Sequence, residues 1–307
     1  MLVNDKLKVE VVDLNHQGFG VAKNEGLAIF IPGALVGETV LCQITKMEKS
    51  YAHAKLMDII TRSKDRVKPI CEIFGTCGGC EIMHLDYSKQ LDYKVKMAEE
   101  TFKRIGHLEL KVDRIIGMDN PYYYRNKIQV PFGTRKNKVI TGYYKQKSHD
   151  IIPFDNCYIQ PIYSTEIVKF IRNLANEYNV TAYDEKNRKG TLRHVLVRNN
   201  YLDQAMVVLI TNEEKINKID EIVNKIINRY PNVVSVIQNI NKANTNVILG
   251  RKHKVLFGEE YITDKINDLN FKIDHYSFFQ INRLQTEKLY DQAIKYLNPT
   301  AEDIIID

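Results

Sequence analysis

Four cysteines, Cys71, Cys77, Cys80 and Cys157, are the residues of this chain best suited to inorganic chemistry. Three lie in one short segment, spaced Cys71-x5-Cys77-x2-Cys80, and the fourth is far downstream. A cubane iron–sulfur cluster is gripped in this way, because its irons occupy the corners of one compact body and each takes a thiolate. Zinc more often draws on two close pairs of ligands. Gly75, Gly78 and Gly79 stand among the cysteines, and with no side chains they let the backbone close around a bulky core. The spacing therefore favours a cluster over zinc, and both over disulfides. A disulfide reading would leave an odd thiol, since Cys42 is the fifth cysteine, and would need an oxidising compartment. The start, Met1-Leu2-Val3-Asn4-Asp5-Lys6, has no apolar signal region, so a cytoplasmic location is expected. No apolar run approaches the ~18 residues of a membrane span.

Charge supplies the second chemical signal. The 307 residues carry a net charge of +6, but it is unevenly placed. Residues 120–149 hold Arg125, Lys127, Arg135, Lys136, Lys138, Lys145 and Lys147 and no Asp or Glu, which leaves the rest of the chain close to neutral. Tyr122, Tyr123, Tyr124, Tyr143 and Tyr144 lie in the same stretch. Cations that take phosphates and flat rings that take unstacked bases thus occur together, as in nucleic-acid binders. The competing reading is a solvated β-ribbon whose lysines only keep it soluble.

These residues need elements to hold them. Residues 6–60 predict a small β unit: Leu7-Val9-Val11 and Val40-Cys42-Ile44 alternate, Leu27 to Ile31 is an apolar strand, and Gly18, Gly20, Gly26, Gly33 and Gly37 mark turns. About five short strands in such a length imply an OB-like barrel, a fold often used to hold single-stranded nucleic acid. Cys42 falls mid-strand and is expected to pack. The polar run 61–69 ends in Pro69 and predicts a linker into the cysteine segment. Leu91, Val95, Met97, Ala98 and Phe102 recur with helical spacing over Tyr87–Arg104, with Gly106 as the stop. Strand-like runs at 127–132, 139–144, 195–198, 205–211 and 233–238 alternate with helix-like runs at 165–177 and 213–227, which predicts an α+β sheet domain.

The motifs, taken in order, resemble one family. They are Gly18-Phe19-Gly20-Val21 and Ile31-Pro32-Gly33, the cysteine segment with His84-Leu85 and Tyr87, and Tyr124-Arg125-Asn126-Lys127. Gly142-Tyr143-Tyr144 leads on to Cys157, then Leu192-Arg193-His194-Val195, Val197-Arg198 and Ser277-Phe278-Phe279-Gln280-Ile281-Asn282. Across essentially the whole chain this resembles the S-adenosylmethionine-dependent RNA uracil-5-methyltransferases that carry an N-terminal TRAM domain and a 4Fe-4S cluster. The resemblance implies a multidomain protein: a TRAM barrel over 1–62, a central iron–sulfur RNA-binding domain over 63–92 and 122–275, and part of a Rossmann-like methyltransferase domain over 93–121 and 276–307. It implies that Cys71, Cys77, Cys80 and Cys157 hold a structural cluster, and that Gln280 sits where S-adenosylmethionine and the target uridine meet. Phe278 would pack beside the base, with plain core packing as the alternative for Phe278 and Phe279. Arg125 and Lys127 would contact RNA, with a surface salt bridge as their alternative, and Arg135, Lys136 and Lys138 would join them on the basic segment. The RNA implied is 23S ribosomal RNA ahead of transfer RNA. No protein partner is implied.

The chemistry of such enzymes follows from the inertness of uracil C5. A cysteine thiolate adds at C6, C5 then takes the methyl group, and a base removes the C5 proton. Here the pattern departs from the family. Ala301 to Asp307 resembles the first Rossmann strand, and from Tyr276 onward only 32 residues follow, fewer than the ~50 a domain usually needs. The glycine loop, the nucleophilic cysteine and the general-base glutamate are expected beyond the end of the chain, which alone would then be inactive. Two readings result: part of an RNA uracil-5-methyltransferase, or a non-catalytic RNA-binding iron–sulfur module.

Overall fold

In the computed structural model, which describes residues 1–306, the chain forms two compact units, Met1–Gly117 and Met118–Asp307. The first is built on five strands, β1 (Lys6–Leu14), β2 (Gly20–Asn24), β3 (Leu27–Ile31), β4 (Thr39–Met47) and β5 (Tyr51–Thr61), closed in the order β1-β2-β3-β5-β4. The expected barrel is thus formed. Alternation explains it: Val9, Val11, Val40, Cys42 and Ile44 point inward with Ile29, Ile31, Ala52 and Ala54, and all are buried. Cys42 is a core residue, and burial raises its thiol pKa.

The linker after β5 is tied back to the barrel. Glu38 is fully buried, and the Arg66 guanidinium donates to both of its carboxylate oxygens, Nε to Oε1 at 2.5 Å and Nη2 to Oε2 at 2.8 Å. Burial pushes the Glu38 carboxyl up, but Arg66 and the Leu35 and Ser63 amides together outweigh it, and the net shift is downward. Arg66 also donates to the Gly33 carbonyl at 2.6 Å. Beyond it the chain makes an antiparallel bridge, Arg66 beside Leu85, with Val67 N–H donating to the His84 carbonyl and Asp86 N–H to that of Asp65.

Helix α1 (Tyr87–Arg104) matches its expected limits, starting at the Asp86 cap, whose carboxylate accepts the Ser88 N–H. None of its residues is buried. Its anchor is Tyr93, which packs on the Leu14, Leu35 and Leu85 cluster and donates to the Asn15 carbonyl at 2.6 Å.

The second unit centres on a seven-stranded sheet in the order β12-β11-β10-β9-β6-β7-β8. Its strands are β6 (Lys127–Arg135), β7 (Lys138–Tyr144), β8 (Ile151–Pro153), β9 (Leu192–Asn199), β10 (Ala205–Thr211), β11 (Val233–Ile240) and β12 (Lys252–Gly258). A separate hairpin, β13 (Ile262–Ile266) and β14 (Leu269–Ile273), follows. Every residue of β10 is buried, as a central strand covered on both faces requires. On one face Leu196, Met206, Val208, Ile210 and Ile237 pack with Ile262, Ile266, Ile273 and Phe279. Helices α2 (Ile162–Glu177) and α3 (Ile219–Arg229) pack against each other and against the sheet, and α3 carries the crossover between the parallel strands β10 and β11. The last helix is α4 (Arg283–Leu297).

Two expectations need correction. Helix α3 starts six residues later than the run from Glu213 predicts. The Glu213 carbonyl accepts from Thr211 Oγ1 and Gln238 Nε2, and Gln238 also reaches the Glu214 carbonyl, so these acceptors are taken by side chains that hold the segment out of the helix. At the other end, Ile304–Ile306 forms no strand, because no neighbouring strand offers hydrogen bonds there; Asp307 lies outside the described residues.

Candidate RNA interface and cysteine loop

In the first unit, Cys71, Cys77 and Cys80 share one turn-rich loop above the Arg66–Leu85 bridge. Cys77 N–H donates to the Ile73 carbonyl at 2.9 Å and Phe74 N–H to that of Cys71 at 3.3 Å. Gly75 has φ +80°, a conformation that favours glycine. Burial raises the Cys77 thiol pKa, the Gly79 amide pulls it back, and the charge of Cys71 raises it further, so these two sulfurs sense one another. All five cysteines are thiols. Among the described residues, no group of three or more His, Cys, Asp or Glu side chains is arranged to hold a metal ion. The donors on the loop have the right chemistry for soft metals, three thiols on one short segment. Cys157 belongs to the second unit.

In the second unit, residues 122–126 are fixed by their own backbone. Tyr123 N–H donates to the Tyr158 carbonyl at 2.8 Å, Arg125 N–H to Ile159 at 2.9 Å and Asn126 N–H to Ile281 at 2.9 Å. Asn126 also donates from Nδ2 to the Gln280 carbonyl at 2.9 Å. One asparagine thereby joins the Tyr124-Arg125-Asn126-Lys127 motif to Phe278-Phe279-Gln280-Ile281-Asn282. Tyr123 holds φ +56°, a strained value for a tyrosine that the hydrogen bond to Tyr158 stabilises. Beside this junction lies a cavity of about 420 Å³, lined among others by Tyr122, Tyr124, Arg125, Asn199 and Asn282. Amide side chains offer both donors and acceptors, and tyrosines offer flat faces, so the lining suits a nucleobase edge.

The cations here differ in their freedom. Arg283 pairs with Glu287 and Lys288 with Asp119, whereas Arg125 and Lys127 make no ion pair among the described residues. The salt-bridge alternative for these two is thus not what the structure shows. Burial lowers the Lys127 pKa, and Arg198 and Arg125 lower it further; Lys127 lies directly opposite Arg198 in the β6–β9 register. Arg198 is itself buried and donates to the Ser277 carbonyl at 2.7 Å. Its burial brings the guanidinium to about 10, against the pull of Asp274 and Asp264. Asp274 Oδ1 accepts from the Tyr276 and Ser277 amides and the Ser277 hydroxyl, fixing the turn that enters the Phe-Phe-Gln-Ile-Asn motif. The two phenylalanines part company there: Phe279 is buried, its ring 5.8 Å from Phe271, while Phe278 is 83% exposed. Phe279 is therefore a core residue, and Phe278 is available to a ligand.

Arg135, Lys136 and Lys138 stand elsewhere in the unit, at the tip of the β6–β7 hairpin. Lys136 and Asn137 both have positive φ, at 50° and 61°, which identifies a two-residue type I′ turn. All four residues from Arg135 to Lys138 are exposed. The structure thus ties the segment of Arg125 and Lys127 to the backbone of Gln280, two residues from Phe278, and places the hairpin cations at the far end of β6. Sequence reasoning assigned no role to Asn126, Asp274 or Arg198. An arginine directly after the apolar run Val195–Val197 was the one available signal for Arg198.

Comparison with known proteins identifies relatives of the chain. Residues 2–57 match the TRAM domain family. An uncharacterized RNA methyltransferase of Halalkalibacterium halodurans is 42% identical over 306 residues, covering 99% of this chain and 67% of that protein. One from Clostridium tetani is 39% identical over 305 residues, covering 99% of this chain and 66% of that protein. The chain thus spans about two thirds of the length of these relatives. Among solved structures, the Pyrococcus abyssi tRNA (uracil-54, C5)-methyltransferase in complex with S-adenosyl-L-homocysteine superposes with a TM-score of 0.72 at 24% identity, over 94% of this chain and 64% of that one, and so shares its fold. No helix among the described residues is long and apolar enough to cross a membrane. From its near-complete alignment with these relatives, the chain belongs to the RNA methyltransferase family.

Proposed function

We propose that the protein serves S-adenosylmethionine-dependent methylation of a uridine at C5 in structured RNA, with 23S ribosomal RNA the preferred substrate. The observation that carries this reading is the Asn126 clamp, which ties the residue following Arg125 to the backbone of Gln280 and Ile281. In this reading Arg125 and Lys127 meet the RNA, Phe278 lies against a uracil turned out of its stack, and Gln280 spans target and cofactor. The basic hairpin of Arg135, Lys136 and Lys138 adds further cations for the phosphates. Cys71, Cys77, Cys80 and Cys157 hold a 4Fe-4S cluster whose role is to order the loop they share. Iron–sulfur ligation calls for thiolates, and the loop supplies three of them from a segment already closed at its base. The preference for ribosomal RNA rests on the pairing of a TRAM barrel with the cysteine loop, and the cytoplasm is where such an RNA would be met.

The test is transfer of radiolabelled methyl groups to unmodified 23S ribosomal RNA and unmodified transfer RNA, with digestion to nucleosides. It is run with the full-length H. halodurans relative, and binding of the same RNAs to this chain is measured alongside. Label recovered as 5-methyluridine, with this chain binding the RNA that is labelled, supports the reading. Label in another nucleoside, or an RNA that this chain does not bind, refutes it. Protein purified without oxygen should be brown and contain iron and acid-labile sulfide that Cys77→Ser removes; stoichiometric zinc without sulfide would dismiss the cluster.

A further inference from the structure

The outer wall of the barrel carries three aromatic rings that the site described so far does not use. Along β3 and β5, Ile29, Ile31, Ala52 and Ala54 fill the core while Phe30, Tyr51 and His53 face outward, partly exposed. The two strands run parallel, with Ala28 beside Tyr51 and Phe30 beside His53. The ring centroids form a triangle, Phe30 to Tyr51 at 5.3 Å, Phe30 to His53 at 5.9 Å and Tyr51 to His53 at 5.4 Å. Single exposed rings are ordinary, whereas rings gathered into one patch mark a surface for interaction.

The surroundings are cationic. Strand register places Lys46 beside His53 and Lys23 beside Ala28, and Lys55 follows His53 on the same face. Lys49 lies in the β4–β5 turn. Glu48 and Glu25 are the nearby acids, and Glu48 is already paired with Lys46 at 2.5 Å. In OB barrels, oligonucleotides lie across strands 2 and 3 and the loops joining strands 1–2 and 4–5. Phe30 is on the third strand, and Tyr51 opens the fifth directly after the 4–5 turn.

We propose that Phe30, Tyr51 and His53 form a stacking platform for unpaired nucleotides of the RNA, with Lys23 and Lys55 meeting the phosphates. The proposal deepens the RNA reading above and rests on it. Rings stack on bases only where base faces are open, so the ligand is single-stranded RNA and not duplex. Each base stacked on a ring contributes enough that its loss lowers affinity by about 5- to 100-fold.

The experiment measures fluorescence anisotropy of a labelled uridine oligomer and of a labelled RNA duplex with the 307-residue chain and its Phe30→Leu and Tyr51→Leu variants. Leucine keeps apolar bulk on the wall, and Tyr51→Phe, which keeps the ring, should bind as the parent does. The leucine variants should lose about 5- to 100-fold in affinity for the oligomer and little for the duplex. If the parent binds the oligomer and the leucine variants bind it equally well, the platform is wrong while the RNA reading stands. A parent chain that binds no RNA removes both. Should a variant fail to fold, ultraviolet crosslinking of a 4-thiouridine oligomer to the unaltered protein decides the matter: crosslinks within Leu27–Ile31 or Tyr51–Lys55 are expected, and crosslinks confined to other segments overturn the platform.

Discussion

Acidification should weaken the second unit through His194, by an amount the structure allows one to work out. This histidine lies on β9, between Pro131 of β6 and Ile210 of β10, and its Nδ1 is buried without a hydrogen-bond partner. Burial, with Arg193 adding to it and Glu185 opposing, lowers its pKa from 6.5 to about 4. The folded form therefore holds it neutral while the unfolded chain takes up a proton below 6.5, so the unfolded state binds more protons and stability falls with pH. From 6.5 down to about 4 the loss grows, and below the folded value it levels off. Linkage across that gap gives a loss of roughly 2 kcal/mol between about pH 7 and about pH 5. The assay is hydrogen exchange of the β9 and β10 amides at the two pH values, corrected for intrinsic rates, which reads opening of this unit alone. His194→Gln removes the titration and should flatten the pH dependence by that amount. His275, also buried and lowered to about 4, leaves a residual slope in both proteins. An equal loss in parent and variant would refute the assignment to His194.

Two further outcomes follow from charges already located. Arg66→Met leaves the Glu38 carboxylate buried without its guanidinium and should cost about 3–5 kcal/mol in the first unit, read by urea unfolding; a cost below ~1 kcal/mol would mean that the pair is solvated. Changing Lys136 and Lys138 to Glu should weaken RNA binding and reduce its salt slope by about one for each phosphate left without its cation, while an unchanged affinity and slope would return the hairpin to a solvated ribbon.

Much of the fold was legible because burial in it is periodic. The barrel strands alternate cleanly, and α1 and β10 occupy the limits that their apolar spacing predicts. Periodicity could not say what covers a helix: the stripe of Leu91, Val95 and Phe102 marks α1 correctly, yet none of these residues is buried. Strands β12 and β14 escaped notice because edge and hairpin positions are largely exposed and show no alternation. Helix α4 buries only Thr286 and so carries no strong stripe. In the site, cysteines and cations announced themselves by type and spacing. The clamp did not, because Asn126 and Gln280 are 154 positions apart and an asparagine side chain gives no sign of its partner.

The bridge beneath the cysteine loop bears on how the proposed cluster would relate to folding. Where a metal supplies the folding energy, the chain is unstructured until the ion arrives. Here the loop's ends are held by Val67 on His84, Asp86 on Asp65 and the Glu38–Arg66 pair, bonds made by the chain alone. Were the proposed cluster bound and then lost, these bonds would still close the base of the loop, since none of them is a metal–ligand bond. Slow exchange of the Val67 and Asp86 amides in metal-free protein would register that endurance, and rapid exchange would deny it.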